Sequence, residues 1–386
     1  MVAINPEAVK VIKLSKEEQL AILRHCPYLE PDISYRIANS ADGIIWLVDY
    51  EAYKLRAAID EQISRMGSHK DTKTLCKASN KLCPNPIIAS IAEQLTDKNF
   101  KDFDEARREV RKIHERHNDT PDPEMAGLTP NQVFKLVNLP WDNDNFAIKF
   151  NKQLSVKDVQ HSYFYNNTRT LLYTLMELEG ENTATVAGNL ARNVLKMMFD
   201  KIILRESDKI FIHKWNSSFN ESNAYTVSET RIICQMAGLI RKRGRKFIVA
   251  KKHRQLLLDE NAGGLYHLLF STFFRIFNIA YRDGFGALYS IQSTIPFSFY
   301  VISKFAGDFC GVEELEKRIF LPAVRKEITN QCGKDRAAKG LIHTRIIEPL
   351  LSFGLIEVVK GPKSTVFNVE AVRKTGLFDN FLKFSI

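Results

Sequence analysis

Residues 228–254 read SETRIICQMAGLIRKRGRKFIVAKKHR, and the order of signals in that stretch decides the fold class. Apolar residues at helical spacing run from about Ser228 to Ala237. Gly238 follows, supplying the left-handed residue that commonly ends a helix. Leu239 to Val249 then reads as two strands around a turn at Gly244. Upstream, Thr168–Leu178 is helical, with Leu171, Leu172, Leu175 and Met176 apolar and Gly180 at the stop. Asn182–Val186 reads as a short strand, and Leu190, Val194, Met197, Met198 and Ile202 form one face of a second helix. The order helix, strand, helix, helix, hairpin is that of a winged helix-turn-helix. One departure is the spacing of about twenty-five residues between the second and third helices, where a tight turn is usual.

The same ending recurs near the C-terminus. Thr344–Phe353 is helical, Gly354 stops it, Leu355–Val359 reads as a strand, and Lys360–Lys363 as a turn before a return at Ser364–Asn368. The junctions Met236–Ile240 and Ser352–Ile356 echo each other, although a helix–Gly–strand junction also recurs for backbone reasons alone. The fold expected is therefore mainly α with small β-hairpins, two winged-helix-like units flanking a Phe-rich helical block. The corresponding division is 1–86, a small α+β domain; 87–126, a charged helical linker region; 127–260, the first winged-helix-like domain; 261–309, the Phe-rich block; and 310–386, the second winged-helix-like domain.

Within the first of these, Ser15 and Glu18 form a capping box for a helix with Leu20, Ile22 and Leu23 on its apolar side. Gly43–Val48 is strand-like, and Asp49 caps a helix carrying Leu55, Ile59, Ile63 and Met66, ended by Gly67-Ser68. The charged helical stretch from Ile87 to His117 has Phe103, Ala106, Val110 and Ile113 as a narrow apolar stripe, and Asn118–Pro123 has linker composition. At Thr129-Pro130-Asn131-Gln132, an N-cap, a proline at the first helical position and a capping-box Gln start the next helix. Phe270, Phe273, Phe274 and Phe277 repeat at three and four residues, so they are read as core rather than as a base-stacking platform. Gly284–Ser303 carries no charge but contains Pro296 and several hydroxyls, which fits a broken buried helix pair better than a membrane span.

Composition narrows the class of function. Hydrophobic residues at 45% and charged residues at 26% exclude global disorder. The N-terminus has no signal-peptide pattern, and the scattered cysteines Cys26, Cys76, Cys83, Cys234, Cys310 and Cys332 include no CxxC pair. A cytoplasmic protein with reduced thiols is the expectation. Neither a GxSxG, a Walker loop, a GxGxxG nor an HExxH occurs, so the chain is read as a non-enzyme without a cofactor. His114 and His117 stand three apart on one helix turn amid Arg and Lys, which would repel a cation, so they are read as a solvated face. Asp49, Asp60, Glu61, Glu177 and Glu179 have no His or metal-ligand partner at useful spacing and are read as caps or surface charge.

Net charge is +10, and most of it sits in one segment. Arg241, Lys242, Arg243, Arg245, Lys246, Lys251, Lys252 and Arg254 carry +8 without an acid among residues 241–254. Read functionally, these residues form a wing lying along phosphates; read plainly, they form a solvated hairpin. So dense a cluster exceeds what solubility needs, which favours phosphate contact. Base reading by Glu229, Arg231 or Gln235 is the weaker expectation, because that helix is not especially polar.

Four segments carry a resemblance. They are Gly127–Val133, Thr183–Leu190, Ala237–Ile240 with its basic hairpin, and Arg345–Glu357 ending in Lys374–Asp379. Together they resemble a bacterial protein family of plasmid and genomic origin to which no activity is assigned, over most of residues 15–386. Some of its relatives look linked to SEC-C-type zinc-knuckle domains, but this chain lacks such a cysteine tail, so no role of those modules carries over. What the resemblance implies is the domain layout. The leading functional expectation is a DNA-associated regulator or accessory factor of a mobile-element or defence locus, with duplex DNA as partner and no membrane. A protein–protein scaffold built from winged helices comes second, and an enzyme with a site assembled from scattered residues third.

Overall fold

A computed structural model of the chain describes residues 9–67, 69–82, 91, 94–95, 98, 100–205, 208–209, 221, 223–332, 336–361 and 369–386. The chain divides into two compact units, residues 1–119 and 120–386, with the boundary inside Asn118–Pro123.

The first unit runs β1 (Val9–Lys13), α1 (Lys16–His25), α2 (Pro31–Asn39), β2 (Ile44–Val48), α3 (Asp49–Met66), α4 (Thr72–Lys81) and α5 (Phe103–Asn118). Ser15 and Glu18 form the reciprocal capping box that starts α1. Leu20 is half exposed, against expectation, while Ala21 and Ile22 are buried. Residues two apart on a helix stand about 200° apart, so Leu20 and Ile22 cannot share a face. β1 escaped the sequence reading because Lys10 and Lys13 interrupt its apolar pattern. It pairs antiparallel with β2, placing Ile12 opposite Ile45 over a core of Leu14, Leu47, Leu55, Ile59 and Leu75. On the other side Val11 stands opposite Trp46, and both are more than half exposed. Parts of the 87–102 stretch and Ser68 lie outside the described residues.

The second unit opens with α6 (Pro130–Val137), whose cap is the one expected: Thr129 Oγ1 accepts from the Gln132 N–H at 3.2 Å and Gln132 Oε1 from the Thr129 N–H at 2.8 Å. Next come β3 (Ile148–Phe150), α7 (Val156–Val159), α8 (Tyr163–Glu177), α9 (Arg192–Met198), α10 (Tyr225–Met236), β4 (Ile240–Arg243) and β5 (Lys246–Val249). α11 (Ala262–Ser271), α12 (Tyr289–Ser293) and α13 (Ile295–Phe305) form the Phe-rich part. The chain closes with β6 (Cys310–Gly311), α14 (Val312–Glu316), α15 (Pro322–Cys332), α16 (Arg336–Ile342), α17 (Glu348–Ser352), β7 (Ile356–Lys360), β8 (Val369–Lys374), α18 (Gly376–Phe381) and β9 (Leu382–Phe384). The described structure is thus mainly helical with small antiparallel sheets.

One continuous core holds this unit, drawing buried side chains from Ala126 to Leu382. At its centre Phe270 packs against Phe274, Phe299, Phe353 and Phe381, with ring centroids 4.7, 5.4, 5.4 and 5.0 Å away. Those spacings suit offset and edge-to-face aromatic pairing. The uncharged 284–303 stretch is split into α12 and α13 at Thr294, with Pro296 in the first turn of α13. No described helix is long and apolar enough to cross a membrane.

Two parts of this unit share an element order and a pairing. In one, α8 is followed by Thr183-Ala184, which bonds to the free edge of β5, then by α9, α10 and the β4–β5 hairpin. In the other, α13 is followed by β6 on the free edge of β8, then by α14, the helices α15–α17 and the β7–β8 pair. Their helix–strand junctions match bond for bond. Leu239 N–H donates to Cys234 O and Gly238 N–H to Gln235 O, at 2.9 and 3.0 Å; Leu355 donates to Leu350 and Gly354 to Leu351, both at 2.9 Å. This is the Schellman pattern, and it requires the left-handed φ of +71° at Gly238 and +73° at Gly354. The return strand expected at Ser364–Asn368 lies outside the described residues; the described one is β8.

Candidate nucleic-acid interface

Cross-strand register assigns the hairpin's side chains to two faces. Ile240 opposite Val249 and Lys242 opposite Phe247 form the inner face, while Arg241 opposite Ile248 and Arg243 opposite Lys246 form the outer one. Phe247 and Val249 are buried and anchor the hairpin, and Arg245 stands exposed in the two-residue turn. A third segment braces it: Ala184 N–H donates to Arg245 O at 2.9 Å, and Thr183 Oγ1 accepts from the Phe247 N–H at 2.7 Å.

The cluster of basic residues divides by what each one touches. Lys242 Nζ donates to Val186 O at 3.3 Å, Lys246 Nζ donates to Gly180 O, and Arg254 spans both Glu179 carboxylate oxygens at 3.1 Å. Arg241, Arg243, Arg245, Lys251 and Lys252 are exposed and have no ion-pair partner among the described residues. Burial, and then Lys252 beside it, holds the His253 pKa below the usual imidazole value and so disfavours its charged form.

The helix before the hairpin is committed to the interior. Glu229 is buried against Arg205, and Arg231 donates Nε–H to Glu221 at 2.5 Å and pairs with Gln235. Glu229, Arg231 and Gln235, the residues considered for reading bases, therefore hold α10 in place. Asp208 caps the same helix, accepting from the N–H groups of Tyr225 and Thr226 at 2.9 Å each. These ties were invisible in sequence, because each joins residues 10–24 positions apart with no motif to mark them.

Elsewhere the chemistry is sparse. A surface hollow of about 430 Å³ runs along α8 past Asn166, Arg169, Tyr173, Glu177 and Lys201. Its guanidinium is engaged, Arg169 donating to Tyr165 and Tyr173 hydroxyls at 3.0 and 3.2 Å and to Asp259 at 2.8 Å. His114 and His117 are exposed and gather no further metal ligand among the described residues. Cys26, Cys76, Cys234, Cys310 and Cys332 are free thiols, and Cys83 lies outside the described residues. No protein-family model, curated protein or solved structure matches the chain.

Proposed function

We propose that this chain is a non-enzymatic nucleic-acid-binding protein whose β4–β5 hairpin, with the turn after it, lies along the phosphates of duplex DNA as the wing of a winged-helix unit. The observation that carries this reading is the row of exposed cations Arg241, Arg243, Arg245, Lys251 and Lys252, none with an ion-pair partner among the described residues. Unpaired guanidinium groups on a braced hairpin suit phosphate oxygens, because their planar forks match phosphate geometry and little backbone freedom remains to be lost on binding. Support for the winged-helix reading comes from the short segment on the free edge of the return strand, which occurs in both parts of the second unit. With α10 committed inward, the binding is electrostatic and indifferent to sequence.

The test is fluorescence anisotropy on labelled duplex DNA across a salt series. If all five free cations engage, the log–log slope reaches at most about −4.5. Replacing Arg241, Arg243 and Arg245 with Gln flattens it by about 2.7 and weakens every sequence alike. Binding unchanged from wild type at low and moderate salt would leave the hairpin merely solvated. The leading reading would then be a protein-binding scaffold, which the strongly exposed Val186 beside Lys242 and the exposed Met236 of α10 favour.

A further inference from the structure

The first unit, which the proposal above does not use, gathers two imidazoles and a carboxylate. His25 ends α1, while His69 and Asp71 lie in the short connection from α3 to α4. His25 Nε2 is 2.8 Å from Asp71 Oδ2, and the His25 and His69 rings meet edge to face with centroids 5.2 Å apart. One donor atom from each of His25, His69 and Asp71 lies within 4.8 Å of the other two. We propose that these three residues bind a divalent transition metal of the zinc class, with water completing the coordination.

The donor set selects the class of ion. Imidazole nitrogens suit zinc, cobalt and nickel, whereas calcium and magnesium take oxygen ligands. Tetrahedral bonds of 2.0–2.1 Å put donors about 3.3 Å apart, so His25 and Asp71 must part slightly from 2.8 Å while His69 closes from a separation of at most 4.8 Å. His69 can supply that movement. Its side chain is exposed, and its Nδ1 accepts a single 3.2 Å bond from the Asp71 N–H. The other two ligands are already placed, since His25 and Asp71 are largely shielded and hydrogen-bonded to each other. Cys26, next in sequence, is buried in the first unit's core and is not among the clustered donors. Arg24 opposes the ion, because its Nη1 is 2.8 Å from the same Asp71 oxygen. Being 57% exposed, it can turn into solvent when a metal arrives. The competing account is that Arg24, His25 and Asp71 form only a surface ion-pair cluster.

Cobalt(II) titration of the full chain, followed by visible absorption and zinc competition, separates the two. The expected result is one cobalt per chain with the strong d–d bands of a four- or five-coordinate ion and no thiolate charge-transfer band. His69→Ala and Asp71→Asn should each weaken binding by at least about tenfold. Arg24→Gln should tighten it, and the double variant His114→Ala/His117→Ala should leave it unchanged. His69→Ala decides if Asp71→Asn fails to fold, since His69 is exposed. Weak bands of six-coordinate aqueous cobalt, a thiolate band, or a folded His69→Ala chain binding as wild type does would each overturn the proposal.

Discussion

Arg345 has no solvent exposure, and its guanidinium is satisfied on every side it presents. Nε and Nη2 donate to the Asp283 oxygens at 2.9 Å each, while Nη1 and Nη2 reach the Ala287 and Gly286 carbonyls at 3.2 and 2.6 Å. Thr344 adds a hydroxyl to Asp283 at 2.8 Å. Burying two charges costs several kcal/mol, but removing one partner costs more, because the other is left uncompensated. Asp283→Asn should therefore lose about 3–5 kcal/mol, read from the denaturant midpoint; a loss near zero would mean the pair opens in solution. Burial pushes the Asp283 carboxyl up, yet the bonds from Arg345, the Phe285 N–H and Thr344 outweigh it and hold it below the usual value. With a folded pKa below the unfolded one, its stabilisation is present above about pH 3.9 and is lost as pH falls through the folded value. Wild type should accordingly lose more stability than Asp283→Asn on acidification below pH 4, and parallel acid limbs would contradict this. Nothing in the sequence pointed to the pair, since its members stand 62 residues apart with no motif joining them.

Elements were legible where local chemistry alone fixes them. The Thr129–Gln132 box, the Gly238 stop and the hairpin turned at Gly244 stand where the sequence put them, because caps and tight turns depend on four to six consecutive residues. The Thr183-Ala184 segment was legible as extended, but its pairing with the hairpin, like that of β1 with β2, depends on residues far along the chain that no local pattern announces. The cations of the hairpin were likewise legible as a cluster, but not which of them the fold engages. Lys242, Lys246 and Arg254 differ from their neighbours only in what lies opposite them in space. Two substitutions test elements of the second unit. Leu190, Val194 and Met198 are buried together with Leu172, so Leu190→Ala should cost roughly 2–5 kcal/mol in chemical denaturation. Thr129→Ala should cost about 0.5–2 kcal/mol by loss of the cap, and no change in midpoint would show that the helix start is held by packing instead.

At the scale of the molecule, five segments drawn from sequence patterns meet two units drawn by packing. Patterning marks where elements begin and end; only the packed structure shows that 127–260, 261–309 and 310–386 contribute to one core. A fragment of residues 120–386 should on this basis fold alone, unfold in a single cooperative transition and keep any salt-dependent DNA binding proposed for the full chain. A fragment without cooperative unfolding would refute the independence of its core. That unit is also closed by its most distant parts. β3 pairs antiparallel with β9, Ile148 opposite Phe384, and nearby Asn151 Nδ2 donates to Asn380 Oδ1 across 229 residues. On a ribosome adding 5–20 residues each second, β3 waits on the order of 10–50 s for that partner. Throughout that interval Phe150 has no Phe381 ring to meet, and a strand edge stands open to other nascent chains. A slow or stalled message would lengthen the exposure, so the codons of this stretch and the chaperones near the tunnel exit bear on how much intact protein a cell obtains.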